Sequence, residues 1–155
     1  MTTAQETYQA MVREHVTPRL RELGFRGSGS VYSLPDDRAW RLLGFQRSVS
    51  SSRQLVRFTV NLTLADKAAW RALLPTHPWI GSRPTGNVGD YGLPPDVVEV
   101  ARIGSLIPGE DDVWWELHVS RPTQPLANEL VHAIERYGLP WLRRKSTSTG
   151  DIPEP

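Results

Sequence analysis

Residues 55–64 read Leu-Val-Arg-Phe-Thr-Val-Asn-Leu-Thr-Leu. From Val56 onward, apolar side chains occupy every second position: Val56, Phe58, Val60, Leu62 and Leu64 project to one side, and Arg57, Thr59, Asn61 and Thr63 to the other. That period of two predicts a strand with one face on a core. Upstream, residues 40–48 and 30–34 form two more strands, joined through the turn-forming Pro35-Asp36-Asp37. Three successive strands on short connections imply an antiparallel meander covered on one face. Downstream, residues 99–107 and 113–119 add a fourth and a fifth strand around Pro108-Gly109-Glu110-Asp111.

The flanks of this strand-rich block change to a helical period. Tyr8, Met11, Val12, His15, Val16, Leu20 and Leu23 recur at steps of three and four, predicting a helix over 3–23. Thr3 and Glu6 have capping-box spacing, Pro18 should kink or briefly interrupt the helix, and Gly24 is placed for a left-handed cap with Phe25 folded back. A short helix over 66–74 turns Ala69, Trp70, Leu73 and Leu74 inward, and Pro75 ends it. Residues 75–98 hold five prolines and four glycines without a sustained period, a loop of unusual length for a small domain. The last helix is expected over 124–137, with Leu126, Leu130, Ile134 and Tyr137 buried, Gly138 as its cap and 139–142 as a docked final turn. The expected fold is α+β: one domain over 1–145, a mainly antiparallel five-stranded sheet with the N- and C-terminal helices on one face, and a polar, Pro-rich, disordered tail over 146–155.

Composition narrows the function. With 155 residues, 23% charged side chains and a net charge of +1, the chain is an ordinary globular domain rather than a disordered segment. It has no cysteine, no apolar run of 18 residues and no visible signal peptide, so a soluble, cytoplasmic protein without disulfides is expected, and no membrane partner. Sixteen of the 18 basic residues are arginine, but they are spread from Arg13 to Arg144 and balanced by 17 acidic residues. No electrostatic footprint for nucleic acid results. His15, His77, His118 and His132 lack metal-ligand spacing, so no metal is expected. Gly81, Gly86, Gly89 and Gly92 lack phosphate-loop spacing, so no nucleotide cofactor is expected.

Four ordered features remain: Gly24-Phe25; Gly44-Phe45-Gln46-Arg47-Ser48 before Phe58-Thr59-Val60-Asn61-Leu62; Arg102-Ile103-Gly104-Ser105-Leu106 followed by Trp114-Trp115; and Gly138-Leu139-Pro140-Trp141-Leu142. In these the chain resembles a bacterial family known as domain of unknown function 4304. The resemblance covers residues 5–143 and implies a small α+β domain. It brings no catalytic residue to carry over.

A candidate site follows from the strand period. Trp115 shares a face with Val113 and Leu117, which sends Trp114, Glu116 and His118 to the other side. With Leu43 and Phe45 facing the core, that second face collects Trp40, Gln46, Arg57, Asn61, Arg102, Trp114, Glu116 and His118. Tryptophan and arginine among hydrogen-bonding side chains compose a recognition surface. The alternative is that the 75–98 loop covers this face through Trp79 and Ile80 as a second small core. The expected function is a non-enzymatic binding or interaction module, of accessory or immunity type, for a protein or a small acidic or amide-bearing ligand held by guanidinium forks. The competing expectation is a small hydrolase or transferase, in which Glu116 orients His118 as a general base.

Overall fold

The strand at 55–64 proves to be the axis of the molecule, extended by two residues. A computed structural model, describing residues 2–87 and 89–145, places six strands: β1 (Arg26–Ser28), β2 (Val31–Leu34), β3 (Ala39–Arg47), β4 (Leu55–Asp66), β5 (Val98–Arg102) and β6 (Trp115–His118). They run β1-β2-β3-β4-β5, all antiparallel, and β6 pairs with β4 on the edge that β5 leaves free. β5 lies opposite residues 61–65 of β4 and β6 opposite residues 55–58, so one long strand carries two short ones end to end. The α+β class, the antiparallel sheet and the packing of both terminal helices on one face agree with the sequence; the strand count is six rather than five. The added strand, β1, is three exposed residues whose polar character gives no alternation to read.

The last two expected strands are shorter than their periodicity suggests: 99–107 becomes Val98–Arg102 and 113–119 becomes Trp115–His118. β5 ends at Arg102 and a 3₁₀ turn takes over from Ile103 to Leu106, because the chain there runs against residues 112 and 113. A Cβ on Gly104 would stand 2.3 Å from the Val113 nitrogen.

The first helical stretch begins as the sequence requires. Thr3 accepts from the Glu6 N–H and Glu6 reaches back, closing the capping box on α1 (Ala4–Met11). Pro18 interrupts the regular helix, and the interruption lies just upstream of it. A π turn over Val12–Val16 precedes α2 (Thr17–Glu22), and the Thr17 N–H donates to the Val12 carbonyl five residues back. The wider turn absorbs the backbone donor that proline lacks and the clash it would cause with the preceding turn. Gly24, at φ 103°, then ends the helix with Phe25 donating back to the Leu20 carbonyl.

The C-terminal stretch repeats the device. α4 (Gln124–Ala133) passes through a π turn at Ile134–Gly138 into α5 (Leu139–Leu142), which carries Pro140 in its first turn. Gly138 is therefore inside the helical stretch, at a helical φ of −74°, and not its cap. α5 docks onto the sheet through Arg41, whose guanidinium donates to the carbonyls of Leu142 and Arg144. The tail expected over 146–155 lies outside the described residues.

Between these helices and the sheet lies the main core: Tyr8, Met11, Val16 and Leu20 from the first stretch, Leu130, Ile134 and Leu142 from the last, and Leu43, Phe45, Phe58, Val60, Leu62 and Trp115 from the strands. A second, smaller core occupies the other face. α3 (Lys67–Leu73), capped by Asp66, lays Trp70 against Ala65, Val97, Val98 and Trp40, with Tyr91, Leu93 and Ile80 of the long loop over it. The sheet is thus covered on both sides around its centre, and Thr59, Asn61 and Thr63 are fully buried. Trp79, expected among the covering residues, is 74% exposed.

Gly44 fixes how closely that loop approaches. Its Cβ, if present, would stand 2.1 Å from the Gly86 carbonyl oxygen, a backbone atom that cannot swing aside. Gly44→Ala should therefore destabilise the domain by about 1–3 kcal/mol in urea denaturation, as overpacking does; wild-type stability would mean that the loop does not press on the strand. Trp115 stacks on Phe58 at 6.0 Å and is nearly buried. Trp115→Ala should cost about 3–5 kcal/mol in the same assay.

Candidate functional site

The second face is divided by the small core just described. Trp40 belongs to the covered half: its ring meets Trp70 edge-on at 5.9 Å, and the Lys67 ammonium sits 5.8 Å from its centre. The other half gathers Gln46, Arg57, Asn61, Arg102, Trp114 and Glu116, as the strand period requires, with His118 at its outer end.

At its centre is Asn61. The Asn61 amide donates to Gln46 Oε1 at 2.8 Å and to the Asn87 carbonyl at 3.3 Å, and its oxygen accepts from Arg102 Nε at 3.3 Å. Arg102 is committed on every side, since its two amino groups also donate to Asp112 at 3.1 Å and to Gln46 at 3.2 Å. Asp112 accepts in turn from the Trp114 indole at 2.9 Å. The Arg102 and Trp114 side chains are therefore held by one carboxylate, and the guanidinium lies 5.2 Å from the indole ring. Asp112 and Asn87 were not among the residues singled out from the sequence. An acidic residue two positions before a tryptophan was the available signal for Asp112; Asn87 acts through its backbone, which leaves no mark in the sequence.

Arg57 differs. It stands directly across from Glu116 in the β4–β6 ladder, with Nε 3.5 Å from the Glu116 carboxylate, and its guanidinium lies 5.8 Å from the Trp114 ring. Yet its side chain makes no well-aligned hydrogen bond among the described residues: the buried Nε has the Glu116 carboxylate at ion-pair distance but no hydrogen-bond partner. Glu116 and Arg57 remain half-exposed, as does Trp114. His118 shares their face without a side-chain hydrogen bond to Glu116, whose carboxylate faces Arg57 instead. The dyad that general-base chemistry needs is not assembled among the described residues.

A family model matches residues 16–144. The chain belongs to that family, the domain of unknown function DUF4304. No curated protein and no solved structure matches it. The DUF4304 match takes in all eight candidate residues and every element from the end of the first π turn to α5. Among the described residues of this DUF4304 chain, no helix is long and apolar enough to cross a membrane, and no three metal-ligating side chains cluster.

The two arginines should therefore behave oppositely. Arg102→Ala removes a guanidinium that joins β4, β3 and the 112–114 segment, and should cost about 1–3 kcal/mol on chemical denaturation. Arg57→Ala loses only a partly exposed ion pair, and should change stability by less than about 0.5 kcal/mol. Equal losses would show that the cluster does not distinguish a structural from an available cation.

Proposed function

We propose that the domain is a non-enzymatic interaction module that engages a partner polypeptide through Trp114, Arg57 and Glu116 beside the β6 edge. The observation that carries this reading is Arg57: a half-exposed cation that faces Glu116 at 3.5 Å without an aligned hydrogen bond, lying against a half-exposed indole. Indole and guanidinium side by side are the residue types that dominate binding energy in protein interfaces. A carboxylate from outside would give the exposed part of the Arg57 guanidinium the aligned bonds that Glu116, at 3.5 Å, does not supply.

The backbone supports the same reading. Among the described residues β6 pairs with β4 alone, so its outer edge offers peptide groups without a strand partner immediately next to these side chains. Such an edge can accept an added strand, with side-chain pockets beside it supplying selectivity. The arrangement favours an extended segment with an acidic residue over a catalytic role for Glu116 and His118.

The test is affinity capture with stoichiometry. The wild-type chain and Trp79→Ala, which removes an exposed tryptophan elsewhere, should retain one partner in a one-to-one complex; Trp114→Ala and Arg57→Glu should lose it while melting as the wild type does. A partner held equally by Trp114→Ala contradicts the assignment. A hydrolytic or transferase activity abolished by His118→Ala would replace it with the catalytic reading.

A further inference from the structure

A cavity of about 930 Å³ opens between the first helical stretch, the 28–30 turn and the end of β3, and its lining includes Gln46 and Asn87, the two residues that the Asn61 amide bonds. Its origin is in the ladder. β2 begins at Val31 opposite Gly44, so the last three residues of β3 run on with only the Ser30 carbonyl, bound to the Phe45 N–H at 2.8 Å, beside them on that edge. The helix supplies the facing wall. Tyr8, Val12, Thr17 and Arg21 line the cavity at steps of four, five and four, and the step of five is the π turn. A regular helix would rotate Thr17 and Arg21 out of line with Tyr8 and Val12. π turns recur at functional sites for this reason.

The lining has a definite polarity. Val12, Phe45 and the Tyr8 ring form an apolar floor, while Arg13, Arg21 and Arg47 stand around it with no carboxylate among the lining residues. Arg13 has an exposed partner in Glu14 at 3.4 Å, and Arg21 donates to the Gly27 carbonyl at 3.3 Å. Arg47 has neither an ion pair nor a hydrogen bond among the described residues; its guanidinium lies 5.7 Å from the Tyr8 ring. Tyr8 is 7% exposed, and its hydroxyl has no hydrogen-bond partner among the described residues. Burial pushes its pKa up against the opposing pull of Arg47, so the hydroxyl stays protonated and can donate.

We infer that this cavity binds a small organic anion, a carboxylate or phosphate monoester on a compact apolar body, with Arg47 and the Tyr8 hydroxyl on the oxyanion and Val12 and Phe45 on the body. Pockets that hold such ligands are apolar with a few directed polar groups, and guanidinium forks match both oxyanions. Of the second face only Gln46 and Asn87 reach this cavity; Trp114, Arg57 and Glu116 do not line it, so either assignment stands or falls alone.

The probes are phenyl phosphate, benzoate and benzyl alcohol, titrated into the full chain by calorimetry and followed by backbone amide resonances. At least one of the two anions should bind about tenfold or more tighter than the alcohol, as charge-assisted bonds require. Resonances of residues 8–21, 28–30 and 45–47 should shift, and the tighter anion identifies the oxyanion. Arg47→Gln should weaken that binding about tenfold, and Tyr8→Phe, which keeps the ring on Phe58, about threefold. Arg121→Gln, at an exposed arginine elsewhere, should change nothing. Equal affinity for anion and alcohol, no binding of either anion, shifts confined to other residues, or indifference to Arg47→Gln would each overturn the inference.

Discussion

Asn61 is a primary amide buried in the middle of the central strand, and the second face of the sheet is organised around its bonds. Its donors hold Gln46 of β3 and the backbone of the long loop at Asn87, and its acceptor holds Arg102 of β5. A buried amide left unbonded would cost several times what each bond contributes, so the three partners are tied to it by the penalty of leaving. On one side of this knot the loop closes over Trp40 and Trp70; on the other, Arg102 and Asp112 hold Trp114 at the surface. The division of the face into a covered half and an open half follows from where this one side chain stands.

The other face obeys a different constraint. Both long helical stretches contain a proline that a regular helix would reject, and both take it in by inserting a π turn immediately upstream. The cost is local widening of the helix. The consequence is that each stretch keeps one continuous apolar stripe against the sheet instead of breaking at Pro18 or Pro140. At the first of them the same widening aligns Tyr8, Val12, Thr17 and Arg21 along a cavity.

Much of this was legible beforehand. Alternation located β4 and assigned its faces, the Thr3/Glu6 spacing located the start of α1, and Gly24 marked the end of the first helical stretch after α2. What alternation could not show is whether a polar face is wet. Thr59, Asn61 and Thr63 look like a solvent face, yet all three are fully buried: the Thr59 hydroxyl donates to the Val113 carbonyl and Asn61 bonds Gln46, Asn87 and Arg102, while the Thr63 hydroxyl has no hydrogen-bond partner among the described residues. The long loop hid its role for a related reason: it is held by backbone carbonyls at Gly81 and Asn87, accepting from Trp70 and Asn61, and a carbonyl has no sequence signature. The eight candidate site residues were readable from the strand period. That Arg102 is spent internally while Arg57 is not depends on the placement of Asp112 and on the angle between Arg57 and Glu116, which only coordinates supply.

The claim that Asn61 organises the second face is most directly tested by hydrogen–deuterium exchange on Asn61→Leu, which keeps the size of the side chain and removes its bonds. Exchange should accelerate across residues 84–93 and around 112–114, while amides of the first and last helical stretches keep their wild-type protection. If the loop exchanges as in the wild type, or if protection falls equally throughout the domain, Asn61 does not organise the face and the account fails.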